Sequence, residues 1–256
     1  MPQITANKGC QKPKLEICAP GAANLTFSRM KDIASQALEA SEKLVKRHGG
    51  CANKILLFSE IGLSYSFNIE KEKVLREIEA IRKLLPSDPQ CGWRAVVFSV
   101  MEMENGVPAN SLYVATQKDV LSYRKRSIGR YDDEMLMGLG TVQYNRAVAY
   151  WEKVAGSQRE AERRFPEIMK GGCNLEFRLG MDIAEPAKYE PNTVSIGPAF
   201  GAEAKYIESF ALKRHLLVMN DAHHDRGLRV IEGSGRRAKW QKIQVKGDFD
   251  IMRIYE

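Results

Sequence analysis

The chain has 256 residues, 44% apolar and 28% charged, with five cysteines and a net charge of +7, the make-up of an ordinary globular protein with room for one sizeable core. No apolar stretch approaches the ~20 residues of a membrane helix, and the cysteines have irregular spacing with no C-x-x-C pair, which excludes a disulfide framework and a zinc site. The basic residues are spread out, in small clusters at Arg124–Arg126, Arg163–Arg164 and Arg236–Lys239, with no interleaved aromatics, so neither nucleic acid nor membrane is an expected partner.

Met1 to Lys14 holds no apolar signal-peptide core, and the expected location is cytoplasmic. Leu15 to Ala19 alternates and reads as a short strand ended by Pro20-Gly21. Cys18 in that run is expected to be a buried hydrophobe, and Cys10, Cys51, Cys91 and Cys173 to be loop thiols. Asn24 is placed to cap a helix over Leu25 to Arg47, where Met30, Ile33, Ala34, Ala37, Leu38, Leu44 and Val45 recur at helical spacing. Gly49-Gly50 stops it. Lys54 to Ser59 contains Ile55-Leu56-Leu57-Phe58, the pattern of a strand buried on both faces.

Ile69 to Leu85 reads as a charged amphipathic helix closed by Pro86, and Trp93 to Val100 as a strand. Ser111 to Thr116 and Val120 to Tyr123 form a hairpin through Gln117-Lys118-Asp119. Residues 141–172 are charged and helical, with Ala147, Trp151, Val154 and Ala155 as a buried face. Leu175 to Ile183 is a strand, Phe200 to Lys213 a helix and Leu216 to Met219 a strand. Leu228 to Ile231 is expected to pair with Trp240 to Val245 across Gly233–Gly235, and Phe249 to Ile254 closes the chain. This order predicts one α/β layered domain over residues 1–256 with a mixed sheet.

Three segments carry residues fit for chemistry. In Leu56-Leu57-Phe58-Ser59-Glu60 a carboxylate follows a buried strand, and strand C-terminal ends are where open α/β sheets bind ligands. Half shielded from water, Glu60 suits a general base, although a strand-end Glu is more often a surface residue or a helix cap. In Tyr123-Arg124-Lys125-Arg126 a lysine at a strand end can offer fixed positive charge to an oxyanion; the plainer alternative is a solvated basic turn. In Phe177-Arg178-Leu179-Gly180-Met181-Asp182-Ile183-Ala184-Glu185-Pro186 a strand runs into a sharp exit. A residue there projects above the sheet as a nucleophile elbow does, unless the strand simply ends.

Together these segments resemble the nitrilase superfamily of carbon–nitrogen hydrolases, whose Glu–Lys–Cys triad runs in this chain order. The family's glutamate follows an apolar strand, as Glu60 does in LLFSEIGLSYSF, with Ser59 where the family usually has Pro. Its lysine follows a hairpin in a Tyr-Arg-Lys or His-Arg-Lys segment. NSLYVATQKDVLSYRKRSI matches that pattern, Asn110 included, and points to Lys125. Its cysteine ends a Gly-x-x-Ile-Cys segment, and GMDIAEP matches with Ala184 at the cysteine position. The likeness runs from Asn24-Leu25, at the first helix, to the closing hairpin and last strand in RVIEGSGRRAKWQKIQVKGDFDIMRIYE. The departures are the missing nucleophile, the charged helical insertion at about 141–172, and a compact C-terminal part. Phe165-Pro166-Glu167 looks like the glutamate motif but follows no strand and is set aside.

The resemblance implies a four-layer αββα-type sandwich, no cofactor, a small-molecule amide substrate and a homodimer. It implies thiol attack with Glu60 as base, and Lys125 with the backbone N–H of Glu185 on the oxyanion. Water then hydrolyses the thioester. Many members place a second glutamate after the lysine. Glu134 in Arg130-Tyr131-Asp132-Asp133-Glu134 is the candidate, Asp133 the alternative, and an exposed acidic turn the plainer reading. Asn220 and His223 follow the strand ending at Met219, where the family has substrate contacts. His223 or His224 can meet a polar or anionic substrate, unless this is a solvated polar loop. Neighbours on an extended segment point to opposite faces, so these histidines and Asp225 do not make a metal site. Tyr65 is a pocket residue or a core tyrosine.

Alanine has no nucleophilic atom, so this chain cannot form the thioester. An engineered Cys→Ala substitution and a natural pseudoenzyme both account for Ala184, and the intact Glu60 and Lys125 favour the substitution. The expected function is an amide-type carbon–nitrogen hydrolase in nucleophile-less form. A binding or regulatory protein and an acyl transferase with the same triad are the alternatives.

Overall fold

Strands buried on both faces build two sheets that share one apolar interface. The computed structural model describes residues 15–20, 26–48, 53–60, 69–85, 92–157, 174–180, 182, 189–199, 204–221, 227–233, 239–244 and 249–255. In chain order these form β1 (Leu15–Pro20), α1 (Phe27–His48), β2 (Asn53–Leu57), α2 (Lys71–Arg82), β3 (Trp93–Glu104), β4 (Val107–Thr116), β5 (Val120–Arg124), α3 (Arg130–Met137) and α4 (Thr141–Ser157). Then come β6 (Asn174–Phe177), β7 (Glu190–Ala199), α5 (Ala204–Ala211), β8 (Arg214–Asp221), β9 (Gly227–Glu232), β10 (Lys239–Gln244) and β11 (Phe249–Tyr255). One sheet runs β10-β11-β1-β2-β3-β4-β5 and the other β6-β7-β8-β9. Both are mixed: β1, β2 and β3 are parallel, as are β6, β7 and β8, and the flanking strands are antiparallel.

Every second residue faces the interface. Ile17, Ile55, Leu57, Val97, Leu112 and Val114 meet Phe177, Val194, Ile196, Leu216 and Val218 from the smaller sheet. One step along, Cys18, Leu56, Val96, Phe98 and Tyr113 face away and pack under α1 and α2, against Met30, Ile33, Ala37, Val74, Ile78 and Ile81. On the far side, Leu217 and Met219 pack against Ile207 and Phe210 of α5. The layers are therefore αββα, as expected. Each buried Leu, Ile or Val contributes roughly 1.5–3 kcal/mol, so a register slip that turned these faces over would cost many such terms. Cys18 is a buried hydrophobe and burial pushes its thiol pKa up; the other four cysteines lie outside the described residues. Among the described residues no helix is long and apolar enough to cross a membrane.

Several elements differ from the sequence reading. Thr26 meets the start of α1: its Oγ1 accepts from Arg29 N at 3.2 Å. Asn24 lies outside the described residues. β3 and β4 form one long hairpin around Asn105-Gly106, whose φ angles of 52° and 71° are those a two-residue hairpin turn needs. The sequence reading ends the first strand at Val100 and begins the second at Ser111, where the polar Glu102, Glu104 and Asn110 interrupt the apolar pattern. β7 and α3 were not expected. β6 stops at Phe177 rather than Ile183, because Asp182 N donates to Leu179 O at 3.0 Å in a tight turn.

The expected β9–β10 hairpin is also corrected. β9 pairs with β8 and β10 with β11, in different sheets. Leu228 is drawn into the sheet interface, and β10 reaches β9 through its side chains, with Trp240 Nε1 donating to Glu232 Oε1 at 2.9 Å and Lys242 Nζ to Leu228 O at 3.2 Å. α4 accounts for 141–157 of the helical insertion, with Ala147 and Trp151 buried against Met101 and Leu136. Residues 158–172 lie outside the described ones, Phe165-Pro166-Glu167 among them.

Candidate active site

Two chain reversals make β5 run in the same direction as β2, so both end on one side of the sheet. Past β2, Phe58 N still donates to Val97 O at 2.8 Å, and Glu60 follows with its side chain buried. Past β5, Lys125 N donates to Asn110 O at 2.8 Å, which extends the ladder by one residue. Alternation then puts Lys125 on the same face as Tyr123, toward the sheet interface. Glu60 and Lys125 meet there, with Nζ 2.5 Å from Oε1.

A second carboxylate completes the grip. Lys125 Nζ lies 2.6 Å from Asp132 Oδ2, which also accepts from Gly129 N at 2.8 Å in the first turn of α3. Asn110 Nδ2 donates to Asp132 Oδ1 at 3.0 Å and to Glu60 Oε1 at 3.2 Å. Glu134 does not take this place. Its side chain is 54% exposed and pairs with Arg130 at 2.8 Å. Two residues turn an α-helix by about 200°, so Asp132 facing inward sends Glu134 outward. Asp133 instead accepts from Tyr144 Oη at 2.8 Å, joining α3 to α4.

The cluster has more buried negative charge than Lys125 can balance. Burial pushes the Glu60 pKa up to about 7; Lys125 opposes that rise, while Asp132 and Asp182 add to it. Burial works against the Lys125 ammonium, but Asp132 and Glu60 outweigh it and hold the lysine charged. The result is a proton acceptor poised near neutrality beside a fixed cation. Asn110 Oδ1 is buried without a hydrogen-bond partner among the described residues. No group of three or more His, Cys, Asp or Glu among those residues is arranged to hold a metal ion.

The exit of β6 closes on the same cluster. Gly180 has φ 49°, and a Cβ there would overlap the Glu60 carboxylate. Asp182, wholly buried, accepts from Tyr123 Oη at 2.5 Å and Ser127 N at 2.8 Å. Ala184 and Glu185 follow but lie outside the described residues, as do Tyr65, His223 and His224. Asn220 is described and is corrected: its Nδ2 donates to Pro20 O at 2.9 Å and Leu57 O at 2.8 Å, tying β8 to β1 and β2 across the sheet interface. Its donors are committed to the fold rather than to a ligand. The sequence reading missed Asp132, Asp182 and Gly180. An acidic residue in the first turn after Gly129 is a signal that Asp132 shares with Asp133, so it does not single out Asp132.

No protein-family model matches the chain, and no curated protein matches it. Solved structures do. An amidase from Nesterenkonia sp. is 15% identical, with 96% of this chain and 93% of that one covered at a TM-score of 0.56. XC1258 from Xanthomonas campestris, a CN-hydrolase superfamily protein with an arsenic adduct in its active site, is 14% identical over 94% and 90% at 0.56. Nit3 of Saccharomyces cerevisiae, from branch 10 of the nitrilase superfamily, is 10% identical over 98% and 93% at 0.53. At these identities the likeness is one of fold, and the chain has the carbon–nitrogen hydrolase fold.

Proposed function

We propose that this cluster is the site of an amide-type carbon–nitrogen hydrolase with alanine in place of its thiol, so that the chain as it stands holds a small amide without cleaving it. The observation that carries the reading is Lys125 Nζ, 2.5 Å from Glu60 and 2.6 Å from Asp132 at converging strand ends. An amidase among the structures of similar fold supports the substrate class.

With a thiol at position 184, Glu60 accepts its proton and sulfur attacks the amide carbon. Lys125 and the backbone N–H of Glu185 stabilise the oxyanion; one such donor is worth about 3–4 kcal/mol of barrier. The C–N bond breaks, the amine leaves with the proton held by Glu60, and a thioester remains. Water attacks it, gives a proton to Glu60, and sulfur leaves and takes that proton back. An amine in place of water makes the same site an acyl transferase. Asp132 keeps Lys125 charged and oriented throughout.

Ala184 itself favours a second reading, a binding protein that keeps the site's charges without its chemistry. Ala184→Cys separates the two. Ammonia release from a panel of small amides is expected to appear in that variant and to vanish again with Glu60→Gln. A folded Ala184→Cys protein that releases no ammonia and forms no acyl adduct would leave the binding reading standing alone.

A further inference from the structure

Asp182 is buried and unused by the chemistry above. Its carboxylate accepts from Tyr123 Oη at 2.5 Å, from Ser127 N at 2.8 Å and from Arg126 N at 3.1 Å. These donors bracket Lys125: Tyr123 lies two residues before it, and Arg126 and Ser127 follow it directly. On its own side of the contact, Asp182 sits two residues after Gly180, which touches Glu60, and two before Ala184. Hydrogen bonds to a charged carboxylate are roughly twice as strong as neutral ones. A single side chain therefore fastens the lysine segment to the exit of β6.

We propose that Asp182 is a positioning residue that clamps the segment bearing Lys125 to the exit of β6, and so holds the Lys125 ammonium in place against Glu60. The inference rests on the hydrolase reading for its catalytic consequence, but the clamp itself does not. Its charge also bears on Glu60. Among the described residues, the groups facing Glu60 are Lys125 from the end of β5, Asn110 from β4, Asp132 from α3 and Asp182 from the β6 exit.

The test is Asp182→Asn, which keeps the shape and removes the charge. Two readouts are taken: the carboxyl titration of Glu60 by carbon NMR in the chain as it exists, and kcat and KM in the Ala184→Cys background. The Glu60 midpoint is expected to fall from about 7 by about half a pH unit or more. In the Ala184→Cys background kcat is expected to fall about tenfold or more with KM held within about twofold. A residue needed only for folding moves neither. A stationary midpoint overturns the proposal, and so does a moved midpoint with kcat unchanged. If Ala184→Cys shows no turnover at all, the hydrolase reading fails and the midpoint alone decides for Asp182. Should Asp182→Asn not fold, Tyr123→Phe removes one donor and keeps the ring. The less neutralised Asp182 then raises the Glu60 midpoint, and no change overturns the proposal.

Discussion

Arg124 and Lys125 are consecutive residues that serve two buried polar clusters on opposite faces of one sheet. Arg124 turns to the helix side, where it pairs with Glu102 at 3.0 Å and Glu104 at 2.8 Å. Ser111 and Tyr113 also donate to Glu102, and Lys71 and Tyr150 to Glu104. Lys125 turns to the sheet interface and serves Glu60 and Asp132. Burial raises the pKa of both Glu102 and Glu60. Glu104 is different: burial acts against its charge too, but hydrogen bonds from Arg124, Lys71 and Tyr150 outweigh that and hold it down at about 2. The clusters differ in supply. Two cations and three hydroxyls serve the pair of carboxylates beside Arg124, whereas one ammonium, helped by the neutral Asn110 amide and Gly129 N, serves the pair beside Lys125. A well-supplied cluster fixes strands in place, and an undersupplied one can trade a proton near neutral pH.

The comparison can be broken first at Arg124. Arg124→Leu leaves the buried Glu102 without a cation and Glu104 with Lys71 alone, and is expected to cost about 3–5 kcal/mol in urea unfolding; a cost under about 1 kcal/mol would mean the cluster is not structural. Lys125→Met should cost less, about 2–3 kcal/mol at pH 8, because Glu60 can take up a proton. Here the sign follows from the raised Glu60 pKa, which rises further once the lysine is gone. Its contribution is fully present below the unfolded value near 4.5 and is lost as pH climbs through the folded value. The variant should therefore be less impaired at pH 5 than at pH 8, and equal penalties at both would count against an undersupplied site.

Gly180→Ala sharpens the contrast at smaller cost. It combines a left-handed φ with overlap on Glu60, and about 1–2 kcal/mol is expected in thermal unfolding, together with a shifted Glu60 titration. Gly106→Ala, also at positive φ but with open space around it, isolates the conformational part; an equal loss in both would remove the contact with Glu60 from the argument. Glu134→Gln is the smallest. The exposed pair with Arg130 should change stability by less than about 0.5 kcal/mol, and a displaced Glu60 titration in that variant would restore Glu134 to the site.

Glu60 and Lys125 could be read from the sequence because strand periodicity and chain order bring strand ends to one side. Asp132 could not, since Asp132, Asp133 and Glu134 are chemically alike and only the phase of α3, set at Gly129, selects the inward one. Strand lengths in the β3–β4 hairpin were hidden for a related reason. Glu102, Glu104 and Asn110 look like solvent-facing residues until their partners from other elements are known. The partner of β9 was missed because a glycine-rich turn is local, whereas the choice of sheet depends on where Leu228 finds apolar cover.

The β4–β5 turn carries an unexpected burden. Thr116 Oγ1 accepts from Asp119 N at 2.9 Å and Lys118 N at 3.3 Å, fixing a three-residue connection that sets Ser111 opposite Arg124. Lengthening that connection by one residue would interchange guanidinium and ammonium between the two faces. The parity of the loop cannot change, and a stretch that touches no reactant is bound as tightly as one that does.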